Sequence, residues 1–332
     1  MNKDLDAEIS PSIISKISWW LVCLISSLIL ILGIAPLLSR FFFICELLNN
    51  FRLQIGILGL ISTILLFYSR AKLFSLVQLV VACCVLVPII VGVFPKQQPA
   101  EGNNRFTLMS YNIWGGNSKR DEVIEMLQTA GPDVLVVLEY VDHWIEPLNQ
   151  LHTSYTYRIE EPRWHGFGIA MYSRYPIEYQ KIHSITEKST DNPLIVVQIN
   201  IKGQSFLVCG AHLLAPMTPA RMDIRNQQFI EAAEIIDKIQ TEKNLPMIFV
   251  GDLNCVAWSP YAKELMQRCQ LRDSRQGYLY QGTWPSANPF LNIPIDNAFI
   301  SDEICVHNRI VLPTIGSDHF PIWLELSFRE DN

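Results

Sequence analysis

The apolar run Pro246-Met247-Ile248-Phe249-Val250 ends at Gly251-Asp252-Leu253-Asn254, which sets a carboxylate and a carboxamide two residues apart where a hydrophobic segment stops. Three other apolar runs adjoin the same kinds of group: Phe106 to Asn112, Val134 to Glu139, and Phe320 to Leu324, which follows Gly316-Ser317-Asp318-His319. Carboxylates and amides gathered at the ends of neighbouring strands make a pocket of hard oxygen ligands, the kind that holds Mg²⁺ or Mn²⁺ against a phosphate. Each group taken singly also has a plainer reading. Asp252 and Asn254 can form an Asx turn, Asn112 can be a turn former, Glu139 a solvated strand end, His212 a satisfied core histidine and Asp296 a cap. One shared site explains them all together; the plainer account needs a separate coincidence for each.

These groups need strands to carry them. Alternation at Phe106 and Leu108 predicts a strand from Phe106 to Ile113. An amphipathic helix follows from Lys119 to Thr129, with Val123, Ile124 and Leu127 on one face and a stop at Gly131-Pro132. Val134 to Glu139 then reads as a buried strand. Gly168 to Tyr172, Leu194 to Ile201 and Ser205 to His212 are further strands, the last two joined as a hairpin at Lys202-Gly203. A long helix spans Pro219 to Gln240, and Ile248 to Asp252, Asn297 to Ile300 and Ile322 to Phe328 complete a strand-rich core. Hairpins mixed with crossover helices predict an α/β fold, a four-layer αββα sandwich of two packed mixed sheets flanked by helices. No Gly-rich strand-to-helix phosphate loop is present.

A different texture precedes this core. Residues 17–38, 53–69 and 73–94 are apolar and nearly free of charge, and about 20 such residues cross a bilayer core. Trp19 and Trp20 suit an interfacial anchor. The expected organisation is a membrane domain over 1–94 with three transmembrane helices, a Pro- and Gly-containing linker over 95–104, and a catalytic domain over 105–332. Before Pro95, Lys3, Lys16, Arg40, Arg52, Arg70 and Lys72 stand against Asp4, Asp6, Glu8 and Glu46, a net +2. The whole chain is −6, which leaves −8 for the remainder, a poor match for extended nucleic acid. The eight cysteines show no zinc-site spacing and read as small buried hydrophobes. Arg70 and Lys72 in the tightest loop favour a cytoplasmic N-terminus, with the C-terminal domain outside the inner membrane.

Ser110-Tyr111-Asn112-Ile113, Leu138-Glu139, Gly210-Ala211-His212-Leu213, Gly251-Asp252-Leu253-Asn254, Ile295-Asp296 and Ser317-Asp318-His319 occur in an order that resembles the endonuclease/exonuclease/phosphatase superfamily. Gly168 to Ser173 with Pro176, and Gly282-Thr283-Trp284-Pro285, support the resemblance, which covers Arg105 to Phe328. It implies that Glu139, helped by Asn112, holds one Mg²⁺ or Mn²⁺, with Asp318 reaching that metal or a second one. It implies that Asp252 and Asn254 orient the attacking water and bind a phosphate oxygen. His319, steadied by Asp296, becomes the general base or a charged clamp, and His212 donates to a phosphate oxygen or to the leaving group. The other histidines read as surface or structural; His165 is the one to watch, because its Trp-His-Gly loop lies near the expected site.

The superfamily cleaves many phosphate esters with much the same site, so substrate choice rests on other features. Three spans ahead of this domain look like the membrane-tethered bacterial branch. The expected function is a bacterial inner-membrane phosphoesterase, its domain extracytoplasmic and its substrate a phosphate ester or pyrophosphate, with a lipid-linked one favoured. A membrane-bound nuclease and a non-catalytic membrane scaffold are the alternatives. The scaffold is disfavoured because no expected site residue is missing.

Overall fold

The computed structural model describes residues 11–94, 104–186 and 190–329. They divide into two compact units, Met1–Ile90 and Val91–Asn332. The linker expected over 95–104 lies outside the described residues except for Asn104.

The first unit is helical: α1 (Pro11–Ile34), which tightens at Ala35–Leu38, then α2 (Phe43–Asn49), α3 (Arg52–Tyr68) and α4 (Lys72–Val93). Ser18–Leu38 and Lys72–Val93 are each long and apolar enough to cross a membrane; α2 and α3, which meet at 82°, make a third if they count as one broken span. The segment expected as the second span is the continuous helix α3, and the bend lies just before it, between α2 and α3. At 17 residues, α3 is about 25 Å long, short of a hydrocarbon core of about 30 Å. The break has a physical cause. Glu46, Asn49 and Arg52 are buried there, and Arg52 donates to Asn49 Oδ1 at 2.6 Å and to the Pro36 carbonyl at 3.0 Å. A charged group among apolar helices persists only where such partners surround it. Close approach of α3 to α4 depends on Gly59, where a Cβ would lie 2.9 Å from Ala82 Cβ.

In the second unit the first four strands, β1 (Phe106–Asn112), β2 (Val134–Leu138), β3 (Tyr157–Glu161) and β4 (Ile169–Ser173), belong to one sheet. The next six, β5 (Ile177–Ile185), β6 (Asn192–Ile201), β7 (Gln204–His212), β8 (Met247–Asp252), β9 (Leu271–Asp273) and β10 (Asp296–Ser301), make the other. Strands β11 (Ile304–Val311) and β12 (Ile322–Phe328) return to the first sheet, whose order is β11-β12-β1-β2-β4-β3. The second runs β5-β6-β7-β8-β10-β9. Both sheets are mixed: β1 and β2 are parallel, as are β7 and β8, while the remaining neighbours are antiparallel.

Period-two alternation decides what lies between the sheets. Along β2, Val134, Val136 and Leu138 face the opposing sheet, where Val197, Val208, Ile248 and Val250 meet them. Leu135 and Val137 face outward, under Val123, Ile124 and Leu127 of α5 (Arg120–Ala130) and Leu148 of α6 (Ile145–Asn149). A strand covered on both faces is a continuous apolar run, which is why β2 shows no polar alternation. The second sheet is covered in the same way by α7 (Pro219–Lys243) and α8 (Pro260–Arg268), through Phe229, Ile236 and Leu265 on Leu207, Cys209 and Phe249. The result is the four-layer αββα sandwich that the sequence predicts. The hairpin at Lys202-Gly203 is present, with φ of 52° and 90° at its two turn residues, and α5 stops at Gly131 in the left-handed conformation.

Candidate active site

Strand register builds the site. In the second sheet His212 pairs with Asp252 across β7 and β8, and Asp252 pairs with Asp296 across β8 and β10, so the three stand side by side in one row. In the first sheet Asn112 pairs with Leu138 and lies next to Glu139. Gly251 makes the row possible. Its φ is 148°, and a Cβ there would lie 1.9 Å from the Ala211 carbonyl oxygen, so the residue before Asp252 must be glycine. Glu139 turns out of β2 with a φ of 61°. That left-handed backbone costs a non-glycine residue about 1–2 kcal/mol. The turn brings its carboxylate to the Gly115 N–H at 2.7 Å and the Asn112 amide at 3.0 Å.

The two sheets meet through hydrogen bonds. Asn112 Nδ2 donates to Glu139 Oε1 at 3.0 Å and to Asp252 Oδ2 at 3.1 Å, bridging both carboxylates. His319 Nδ1 donates to Asp296 Oδ2 at 2.9 Å, and its Nε2 lies 3.6 Å from Asp252 Oδ2. The same carboxylate oxygen is 3.4 Å from His212 Nε2. Asp252 Oδ1 accepts the Asn254 N–H at 3.0 Å, and Asn254 Nδ2 donates to the Leu213 carbonyl at 2.9 Å. The Asx turn and the site are therefore one structure: one oxygen of Asp252 holds the turn while the other faces the histidines. Asp318 accepts from Trp284 Nε1 at 3.0 Å through Oδ2, while its Oδ1 is buried without a hydrogen-bond partner among the described residues.

Charge is concentrated here. Burial would lower His319, but Asp296 and Asp252 outweigh it and raise the imidazole to about 10. His212 is likewise raised against burial, by Asp252 and Glu139. Burial works to raise Asp252, yet the two histidines hold it below the usual carboxylate range. Burial pushes Asp296 up against the pull of His319, and the like charge of Asp252 adds to that push.

All eight residues singled out in the sequence lie at this one end of the sandwich. Asn112, Glu139, His212, Asp252, Asp296 and His319 form a connected cluster; Asn254 braces it through the turn, and Asp318 stands one residue before His319. Among the described residues, Asp252, Asp296 and His319 have ligand atoms within 4.8 Å of one another, close enough for a cation; Glu139 and Asp318 are not in that group. The wider set fits a hard divalent ion. Glu139, Asp252 and Asp318 offer carboxylate oxygens, Asp318 Oδ1 is buried without a hydrogen-bond partner among the described residues, and Asn112 presents its amide hydrogens between the Glu139 and Asp252 carboxylates, which otherwise repel.

Several supporting residues escaped sequence reading. Asn117 Nδ2 ties the β1 exit to the Ile315 carbonyl at 2.8 Å, and Asn192 Nδ2 holds the His212 carbonyl at 2.8 Å. The Phe167 ring packs 4.9 Å from that of His212. Single asparagines in a loop or at the start of a strand carry no signal distinguishable from turn formers. Ser317, inside a motif already noted, accepts the His319 N–H at 3.1 Å and donates to the Asn112 carbonyl at 2.7 Å.

The Endonuclease/Exonuclease/phosphatase family model matches residues 109–319, a stretch containing every residue of this cluster. Sphingomyelinase C of Leptospira interrogans is 23% identical over 255 residues, 67% of this chain and 44% of that protein, so the chain spans less than half of its relative. Among solved structures, the Bacteroides thetaiotaomicron mannosyl-6-phosphatase superposes with a TM-score of 0.55 and 20% identity, over 67% of this chain and 100% of that one. A truncated Caenorhabditis elegans TDP2 gives a TM-score of 0.55 and 18% identity, over 67% and 97%. At such identities the structural likeness speaks for the fold, while the family match takes in most of the chain and its whole charged cluster. The chain belongs to the endonuclease/exonuclease/phosphatase family.

Proposed function

We propose that the chain is a membrane-anchored, divalent-metal-dependent phosphoesterase that hydrolyses a phosphate ester or pyrophosphate carried on a lipid. The observation that carries this reading is the meeting of Asn112, Glu139, His212, Asp252, Asp296 and His319, brought by six strands of two sheets to one buried point. Folding alone does not call for two imidazoles and three carboxylates packed together, and their mutual desolvation opposes it. A cation held by Glu139 and Asn112, with Asp318 as a further ligand, would polarise the phosphoryl oxygen and offset developing negative charge.

The chain's own groups then divide the work. Asp252, fixed by the Asn254 N–H, presents Oδ2 to orient the attacking water, with Asn254 on the same turn for a phosphate oxygen. Asp296 holds Nδ1–H of His319, so Nε2 is the atom offered to the reaction, as base or as positive clamp. His212 turns Nε2 to Asp252, beside which it is the donor assigned to a phosphate oxygen or to the leaving group; its Nδ1 is buried without a hydrogen-bond partner among the described residues.

The lipid assignment rests on the apolar helices and on a short chain path. Twelve residues lie between Val93 and Phe106, and they reach at most about 40 Å. Names of relatives that point to sphingomyelin or to a mannose phosphate support phosphate-ester chemistry without fixing which ester. A substrate panel decides. The purified full chain with Mg²⁺ should hydrolyse lipid phosphates at least tenfold faster than single-stranded or nicked DNA; comparable rates would favour a nuclease. For topology, a reporter fused after Asn332 should be active outside the cytoplasm, and a cytoplasmic signal contradicts the orientation.

A further inference from the structure

Between Arg105 and Arg329, the large apolar side chains more than 40% exposed are Trp114, Trp164, Met217, Leu279, Phe290 and Leu291. Their positions are not scattered. Trp114 follows Asn112 by two residues, and Met217 follows His212 by five. Trp164 lies in the connection into β4, whose first residue, Ile169, pairs with Leu138 beside Glu139. Leu279, Phe290 and Leu291 belong to the 274–295 connection, which ends at Asp296 in the site. All six therefore lie on connections at the catalytic end of the sheets. The opposite end presents exposed Lys202, Gly203, Asn244, Asp302 and Glu303. Ile145, Tyr157, Ile230 and Ile310, the remaining exposed large hydrophobics in this range, are at 37–40% exposure and belong to other elements.

The exposed end is built, not frayed. Phe290 N–H donates to Asn288 Oδ1 at 3.0 Å, and Asn292 Nδ2 to the Pro285 carbonyl at 3.1 Å, so the loop tip is pinned while Phe290 is 83% and Leu279 75% exposed. A ladder of rings runs inward from Trp164, itself 82% exposed: Trp164 to His165 at 5.3 Å, His165 to Phe167 at 5.7 Å, Phe167 to His212 at 4.9 Å. Exposed large apolar side chains gathered at the end of the sheets that carries a polar site mark an interaction surface, and Trp, Phe and Leu are residues that settle at the headgroup boundary.

We propose that these side chains form a rim that seats on the bilayer interface, so that the catalytic mouth opens onto the membrane and takes phosphate directly from a lipid. The inference rests on reading the site as a phosphoesterase and the apolar helices as spans. Those helices and the short path from Val93 to Phe106 make the bilayer the surface always within reach. A second copy docked on the same rim would instead close the mouth through which substrate must pass.

The test uses the full chain in phosphatidylcholine liposomes. Lipids brominated near the glycerol should quench wild type more than Trp164→Phe, the difference being the share of one of the eight tryptophans; equal quenching overturns the proposal. Leu279→Ser/Phe290→Ser should lower hydrolysis of a polyprenyl diphosphate embedded in the liposomes about tenfold, through lost interfacial burial. Its rate on soluble bis(p-nitrophenyl) phosphate should stay within about twofold of wild type, since such exposed substitutions leave the fold intact. Equal loss on both substrates, or no loss on either, counts against the rim. Conversion of a detergent dimer to monomer by the same variant, with Trp164 unquenched in liposomes, would make it a self-association face. A wild type inactive on both substrates would refute the phosphoesterase reading, while the quenching comparison would still decide the docking.

Discussion

His319→Ala is expected to lower kcat by about 10³-fold, the middle of the range for losing a positioned acid–base group. The structure argues for a loss of this size because one imidazole serves two carboxylates at once, at 2.9 Å from Asp296 and 3.6 Å from Asp252. The variant should still fold. Removing the histidine leaves Asp296 buried without its partner, but burial already pushes that carboxyl toward its protonated form, and neutralisation avoids a bare buried charge. Asp296→Asn is expected to cost about 10²-fold or more, because the amide can turn its NH2 toward the ring and lose control of the tautomer. Steady-state kinetics beside a thermal melt check both. A His319→Ala enzyme within tenfold of wild type would mean that the histidine is structural.

Glu139→Ala should produce a loss of similar size by a different route. Several kcal/mol of charge stabilisation by a bound cation corresponds to roughly 10²–10⁴ in rate, and Glu139 is the carboxylate free of a histidine partner in this cluster. Two features argue that it is placed for a ligand. It holds a left-handed backbone at φ 61°, and among the described residues its oxygens accept from the Gly115 N–H and the Asn112 amide. A glutamate whose purpose was to end a strand would not need that conformation. The loss should be partly reversed by raising the Mg²⁺ concentration, whereas the His319→Ala loss should not respond. Rates measured across a metal titration separate the two.

How much of this could be read from residues alone depends on where each strand lies. The central strands β1, β2, β4, β6, β7, β8, β10 and β12 are largely buried, and their apolar runs announce them. The four strands that the sequence did not reveal, β3, β5, β9 and β11, are the edges of the two sheets. An edge is half solvated, so Tyr157-Arg158-Ile159-Glu160-Glu161 and Ile177 to Ile185 carry charges that look like loop, and β9 has only three residues. The candidate site was legible for a related reason: its groups sit at or near the ends of buried runs, where a polar side chain is conspicuous. Its bracing was not. Asn117 and Asn192 act through backbone carbonyls far off in sequence, and Phe167 reaches His212 only once the fold is made. The bend before α3 escaped for the opposite reason, since apolar content registers length but not the buried Arg52 that breaks the helix.

The most direct test is the initial rate of phosphodiester hydrolysis by the purified full chain as Mg²⁺ is added back after EDTA, wild type beside Glu139→Ala. The site described here predicts no activity in EDTA, full recovery of wild type with Mg²⁺, and a Glu139→Ala rate at least about 10²-fold lower that climbs with metal concentration. Hydrolysis that persists in EDTA, or a Glu139→Ala protein indistinguishable from wild type, would contradict it.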